Sequence, residues 1–231
     1  RDKFPEKPIS YDTFLTAMLN ALNDAQQRWA KEKHLGRAKR LSAAINFRDA
    51  LMFGFLILRP IREKNVLMME KGRHLCQSQN GSWELHFTEK ETKGGIAHDA
   101  PYPPDLVEAL ELYLAEVREE LRGEEETSII FLSRTGNPLL PGDIWRRITR
   151  IGQRYLGIKT NPHIFRALVP SAYLLEYPDK LQEVQALLGH SSIETTLKYY
   201  VRTYSQIASR RDAVFVRAEC PHFNELMAII G

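Results

Sequence analysis

A mainly helical fold with one small antiparallel sheet, an α+β architecture in a single domain, is what this sequence predicts. Two observations carry that expectation. Apolar residues recur at helical spacing through most of the chain. In one region only, two strand-like runs, HLCQSQ and SWELHFT, flank Asn80-Gly81, a dipeptide suited to the positive backbone angles of a tight hairpin.

The elements follow in order. Ser10 can cap a helix over residues 11–33, with Phe14, Met18, Leu22 and Trp29 at helical spacing. A second helix, over about 41–58, ends in LMFGFLIL, apolar on every side, and so belongs at the centre of the core. Pro60 then forces a turn. After the Asn-Gly hairpin, a further turn at Gly94-Gly95 predicts a third short strand near residues 96–100. Pro103-Pro104 precedes an amphipathic helix to about Leu121, and SIIFLS is a short buried strand or extended segment ended by RTGNP. From Pro141 onward the pattern is helical over 141–157, 162–175, 179–188 and 192–209, with a short apolar helix in FNELMAII.

The 231 residues suffice to bury a substantial core, and 43% hydrophobic with 26% charged residues is ordinary globular composition. Cys76 and Cys220 form neither a disulfide framework nor a metal-ligand spacing, so a reducing, cytoplasmic setting is expected, on the nucleoid if the source is bacterial. No apolar run is seen to approach the ~20 residues that span a bilayer, so no membrane partner is expected.

The formal net charge of +3 conceals local bias. Residues 28–40 hold six basic side chains (Arg28, Lys31, Lys33, Arg37, Lys39, Arg40) and one acid. Residues 145–159 hold five basic side chains and no acid, among them Arg146, Arg147, Arg150 and Arg154, whereas EVREELRGEEE is mainly acidic. Any one such run is usually a solvated helix face. Two basic runs in a chain with separate basic and acidic faces favour a phosphate backbone as partner.

Candidate chemistry sits in an ordered set. Arg62 follows the central apolar helix in RPIREKNV, and Lys93 stands beside the Gly94-Gly95 turn. His163 and Arg166 share a helix face at i, i+3 in NPHIFRAL. In LLGHSSIETTLKYY, Ser191 and Glu194 form a capping-box pattern after His190, and Tyr199 and Tyr200 lie about two turns into the helix that follows. Taken singly, each residue has an ordinary structural explanation. Zinc is disfavoured, because His163 and His190 have no third ligand at suitable spacing.

The order Arg62, Lys93, His163-x-x-Arg166, Gly189-His190 and Tyr199 resembles the tyrosine recombinases, also called the phage integrase family, over about residues 10–200. HIFR and LLGHSSIETTLKYY carry the resemblance most sharply. In that family the nucleophile lies nine residues after this histidine, which lands on Tyr199. The chain departs from the family pattern at PIREKNV, with Asn65 where glutamate is common, and at ALV after Arg166. Arg59 is a rival to Arg62, and Lys90 to Lys93.

The resemblance implies a site-specific recombinase that cleaves and rejoins double-stranded DNA through a 3′-phosphotyrosine, without metal, ATP or another cofactor. Arg62 and Arg166 would clamp the phosphate, His163 act as base or proton shuttle, His190 hydrogen-bond the phosphate and Lys93 protonate the leaving oxygen. A type IB topoisomerase, or a DNA-binding protein with a degenerate site, are the alternatives. Residues 1–9 are expected to be a linker, 10–218 the catalytic domain and 219–231 a tail able to dock on a neighbouring protomer of a tetramer. The chain starts at Arg1, so a fragment lacking an upstream DNA-binding domain is expected.

Overall fold

The structure, a computed structural model, describes residues 9–124 and 126–188 together with Thr196 and Leu197. The expected linker apart from Ile9, the expected 192–209 helix apart from Thr196 and Leu197, and the tail at 219–231 lie outside the described residues.

Helix α1 (Tyr11–Glu32) begins where Ser10 accepts a hydrogen bond from the Thr13 N–H. Helix α2 (Arg37–Leu58) packs along it and starts four residues earlier than the apolar pattern indicates, because its first turn is polar. From Phe47 to Ile57 every α2 side chain is buried. Contrary to the sequence expectation, α2 is long and apolar enough to cross a membrane by length and composition; 72% of that stretch is buried inside the protein, as in a core helix.

After Pro60 a short helix, α3 (Glu63–Leu67), leads to a sheet of order β1-β2-β3 (Leu75–Gln77, Trp83–Phe87, His98–Pro101), antiparallel throughout. Leu75 pairs with Leu85 and Glu84 with Pro101, and Gly81 supplies the positive φ of the first hairpin. The alternating burial of β2 sets Trp83, Leu85 and Phe87 on the core side. Residues 104–121 form one helical stretch in which α4 (Val107–Leu112) and α5 (Arg118–Leu121) flank a π-turn at Tyr113–Val117. The segment SIIFLS is extended and meets Glu70 in an isolated bridge at Ile129.

Helices α6 (Pro141–Tyr155), α7 (Pro162–Glu176) and α8 (Leu181–Leu188) complete the fold. Ile144, Ile148 and Ile151 bury one stripe of α6 and leave its arginines on other faces. At Gly152 an added Cβ would stand 2.0 Å from the Thr160 hydroxyl, which donates to the Ile148 carbonyl. That contact sets the turn into α7, whose N-cap Asn161 accepts from the Ile164 N–H.

One apolar cluster unites α1, α2, the sheet, the 104–121 stretch, α6 and α7. Within it lie two fully buried charged residues, Arg48 and Asp49. One Asp49 oxygen accepts from Arg48 Nε at 3.0 Å and Nη2 at 2.5 Å; the other accepts from Arg147 at 2.9 Å and Arg150 at 3.2 Å. Arg48 also donates to the Leu132 carbonyl. Removing one partner strands the others in a low dielectric, which typically costs ~3–5 kcal/mol. Asp49→Ala is therefore expected to lower unfolding free energy by about that amount, whereas Asp24→Ala, which removes an exposed pairing with Arg154, should change it by about 0–1 kcal/mol. Urea denaturation followed by circular dichroism measures both.

Candidate active site

Arg62 is the N-cap of α3, at the point where the chain leaves Pro60. Its half-buried side chain lines a small cleft with Asn65, Phe87, Thr92, His98, Arg166 and Leu188. The cleft therefore unites an arginine from the α2–α3 junction with one from α7, 104 positions later in the sequence.

Arg166 is only 7% exposed. It donates to the Pro60 carbonyl at 2.7 Å and to the Leu188 carbonyl, so it ties the approach to Arg62 to the end of α8. Gly189 and His190 come next in the chain. His190, Tyr199 and Tyr200 lie outside the described residues. His163, one turn before Arg166, is exposed at the start of α7.

Arg59, the rival to Arg62, caps the end of α2 and donates to the carbonyls of Leu58 and Pro101. Burial, partly offset by the neighbouring Tyr11, lowers its pKa. It does not line the cleft that Arg62 and Arg166 share.

Lys93 is exposed in the connection from β2 to β3, where Gly95 takes positive φ, and its neighbour Thr92 lines the cleft. Lys90, also exposed, sits earlier in the same connection. The base of this turn is fastened by a network that the sequence reading missed. Glu91 accepts from the Thr88 N–H and hydroxyl through one oxygen, and from Arg73 and His74 through the other. The Glu70 N–H donates to His74 Nδ1, which leaves Nε2 as the nitrogen that carries the proton toward Glu91. Asn65, three residues after Arg62, donates from its amide to the Glu91 carbonyl at 3.3 Å. The position where the family pattern has glutamate thus joins the Arg62 helix to the Lys93 turn.

The two basic runs also meet. Arg28 of α1 and Arg147, Arg150 and Arg154 of α6 line a cavity of about 690 Å³, together with Ser42, Asn46 and Tyr155. Arg134, from the turn after SIIFLS, joins them; no sequence signal marked it beyond its charge. Lys31, Arg37 and Lys39 are exposed and make no ion pair among the described residues, and exposed Arg146 pairs with Asp143 on its own helix. Lys33 and Arg40 correct the expectation of separate basic and acidic faces: they pair with Glu116 at 2.9 Å and Glu120 at 2.5 Å, across the seam with the acidic stretch. The sequence separation of more than 70 residues hid that contact.

The backbone N–H of Thr88 first, then the His74 side chain and the Thr88 hydroxyl, hold the Glu91 carboxyl down to about 2, from an ordinary 4.5. A depressed carboxylate contributes stability that is complete above its unfolded pKa and is lost as pH falls through its folded pKa. Wild-type stability should therefore decline from about pH 4.5 toward pH 2, and Glu91→Gln, less stable at neutral pH, should flatten that decline. Urea midpoints across the range measure it; parallel curves for the two proteins would refute the assignment.

Comparison with known proteins now bears on this geometry. The model of the phage integrase family matches residues 32–206. The tyrosine recombinase XerC of Azotobacter vinelandii is 35% identical over 126 residues, 54% of this chain and 41% of the relative. XerD of Staphylococcus haemolyticus is 34% identical over 135 residues, 58% of this chain and 45% of the relative. The chain thus spans about half the length of the curated relatives it matches. Among solved structures, XerH site-specific recombinase bound to palindromic difH substrate, a post-cleavage complex, matches with a TM-score of 0.61 at 16% identity, over 88% of this chain and 52% of that one. XerA recombinase matches at 0.60 and 17% identity, over 91% of this chain and 65% of that one. At such identity the structural likeness is one of fold, and it agrees with the helical architecture and its small sheet. With a family model spanning most of its length, the chain belongs to the phage integrase family.

Proposed function

We propose that this chain is the catalytic part of a site-specific DNA recombinase acting through a 3′-phosphotyrosine intermediate. The observation that carries the reading is the convergence of Arg62 and Arg166 on one cleft beside the Lys93 turn, in a chain of this family.

Attack on a phosphodiester concentrates negative charge on the non-bridging oxygens. Arg62 and Arg166 neutralise it with permanently charged, planar donors. The Tyr199 oxygen, with an ordinary pKa near 10, attacks phosphorus and passes its proton to His163. His190 donates to the phosphate as its charge grows. The 5′ oxygen departs with a proton from Lys93. One phosphorus–oxygen bond has formed and one has broken, leaving a tyrosyl 3′-phosphate and a free 5′-hydroxyl. Attack by a 5′-hydroxyl of a second duplex reverses the step, so rejoining consumes neither ATP nor metal.

The cavity lined by Arg28, Arg134, Arg147, Arg150 and Arg154 suits backbone phosphates of the flanking duplex, with Lys31, Arg37, Lys39 and Arg146 in support. Strand exchange between two duplexes requires four protomers, and the apolar tail at 219–231 is suited to joining neighbours. Cytoplasmic action on nucleoid DNA fits this reading.

Two experiments test it with the full-length protein. Incubation with a library of randomised nicked duplexes should trap a covalent adduct on a defined sequence; relaxation of any plasmid without site choice would instead mark a topoisomerase. Tyr199→Phe should abolish the adduct and keep DNA binding, and Tyr200→Phe should be nearly silent. Lys93→Ala should cleave ordinary DNA slowly yet cleave a 5′-bridging phosphorothiolate nearly as fast as wild type, because a thiolate departs unprotonated. Arg166→Ala should gain far less from the sulfur, and rescue of Lys90→Ala instead would move the acid to Lys90.

A further inference from the structure

His98 opens β3 and lines the cleft that Arg62 and Arg166 share. Its Nε2 is buried and has no hydrogen-bond partner. An unsatisfied buried ring nitrogen costs ~1–3 kcal/mol, and a buried polar atom that stays unpaired in a folded protein calls for an explanation. Two neighbours sharpen it. The Arg62 guanidinium makes no hydrogen bond or ion pair among the described residues, and Arg166 brings a second positive charge. An orphaned nitrogen on a residue that lines one cleft with Arg62, Arg166 and Thr92, the neighbour of Lys93, suits hydrogen bonding to an anionic oxygen.

We propose that His98 is a further catalytic residue, donating from Nε2 to a non-bridging oxygen of the scissile phosphate beside Arg62 and Arg166. The inference rests on the phosphotyrosine reading above and adds a ligand to its phosphate clamp. Burial first, then the positive charges of Arg59 and Arg166, hold the ring below the usual histidine range, against the opposing charge of Asp99. The imidazole therefore enters the cleft neutral, and its proton must sit on Nε2 to serve as a donor. A neutral donor adds a directed hydrogen bond where a third cation would meet repulsion from the two arginines. The strand position matters as well. His98 lies across the β2–β3 hairpin from Phe87, so the strand that follows Lys93 also supplies a phosphate contact.

The ring size provides the test. Glutamine carries an amide N–H out to roughly the place of Nε2, whereas asparagine stops near Nδ1. Both are polar and of similar or smaller volume, and circular dichroism verifies that each variant folds. The probe is a nicked duplex selected by the wild-type protein from the randomised library, and the readout is the single-turnover rate of adduct formation. His98→Gln is expected within ~10-fold of wild type and His98→Asn ~100-fold slower, the span that one charge-assisted hydrogen bond commands. A methylphosphonate in place of the contacted oxygen should shrink the His98→Asn defect to a few-fold, and a 5′-bridging sulfur should leave it unchanged. Equal wild-type rates for both variants would overturn the inference. So would a His98→Asn defect erased by the sulfur, which would place His98 on the leaving group. Failure of the wild-type protein to form any adduct would instead overturn the functional reading.

Discussion

Asp49 is fully buried in the middle of the central helix and accepts hydrogen bonds from three arginines. A lone carboxylate there would carry a large uncompensated desolvation cost. Hydrogen-bonded by Arg48, Arg147 and Arg150 it forms a hub that fastens α6 to α2 at one azimuth. The consequence reaches the surface. Once Asp49 holds Arg147 and Arg150, the basic face of α6 must stand opposite the start of α2 and the last turns of α1, where Arg28 lies. Two basic runs more than a hundred residues apart in sequence thereby line a single cavity. The same docking aligns α6 for the Gly152–Thr160 contact, and the turn after Thr160 launches α7 with His163 and Arg166.

Arg166 plays an equivalent part at the cleft. It donates to carbonyls at Pro60 and Leu188, one just before Arg62 and the other just before Gly189-His190. Carbonyls at the ends of helices and in turns lack intrahelical partners, and a guanidinium fork satisfies them with charge-assisted bonds. The side chain proposed to hold the phosphate therefore also holds together the segments that carry the other ligands. Rate losses at Arg166 accordingly combine lost charge and lost alignment, whereas losses at His98, which has no hydrogen bond from Nε2 to protein, report on the substrate contact alone.

The parts of this structure legible in the sequence are those set by local chemistry. Ser10 caps α1, Asn80-Gly81 turns the first hairpin, Pro141 and Pro162 open helices, and the apolar run of α2 fills the core, each through interactions spanning a few residues. What stayed hidden depends on contacts across the fold. The start of α2 is polar, so periodicity could not see it. Helix α3 is only five residues long and has no room for a periodic pattern. His98, Asp49 and Glu91 carry no motif; His98 and Asp49 acquire their character from burial beside charges of other elements, and Glu91 from Thr88 together with Arg73 and His74. Lys33 and Arg40 look like open cations until the acidic stretch folds against them.

That last contrast explains how a chain of net charge +3 can present a concentrated basic cavity. Acids are distributed as orienting partners. Asp49 takes one donor each from Arg147 and Arg150, Asp24 one from Arg154, and Glu32 one from Arg28. Each guanidinium has five N–H donors, so one bond to a carboxylate fixes the direction of the fork and leaves most donors for another oxygen. Such pairing lowers the entropy lost when a phosphate is bound, at the cost of some of its field. Lys33 and Arg40 lie outside this cavity, and their pairs hold the end of α1 and the start of α2 to the 104–121 helical stretch instead. The division is geometric: charge next to the Asp49 hub is aimed outward, and charge along the acidic seam is drawn into holding the helices together.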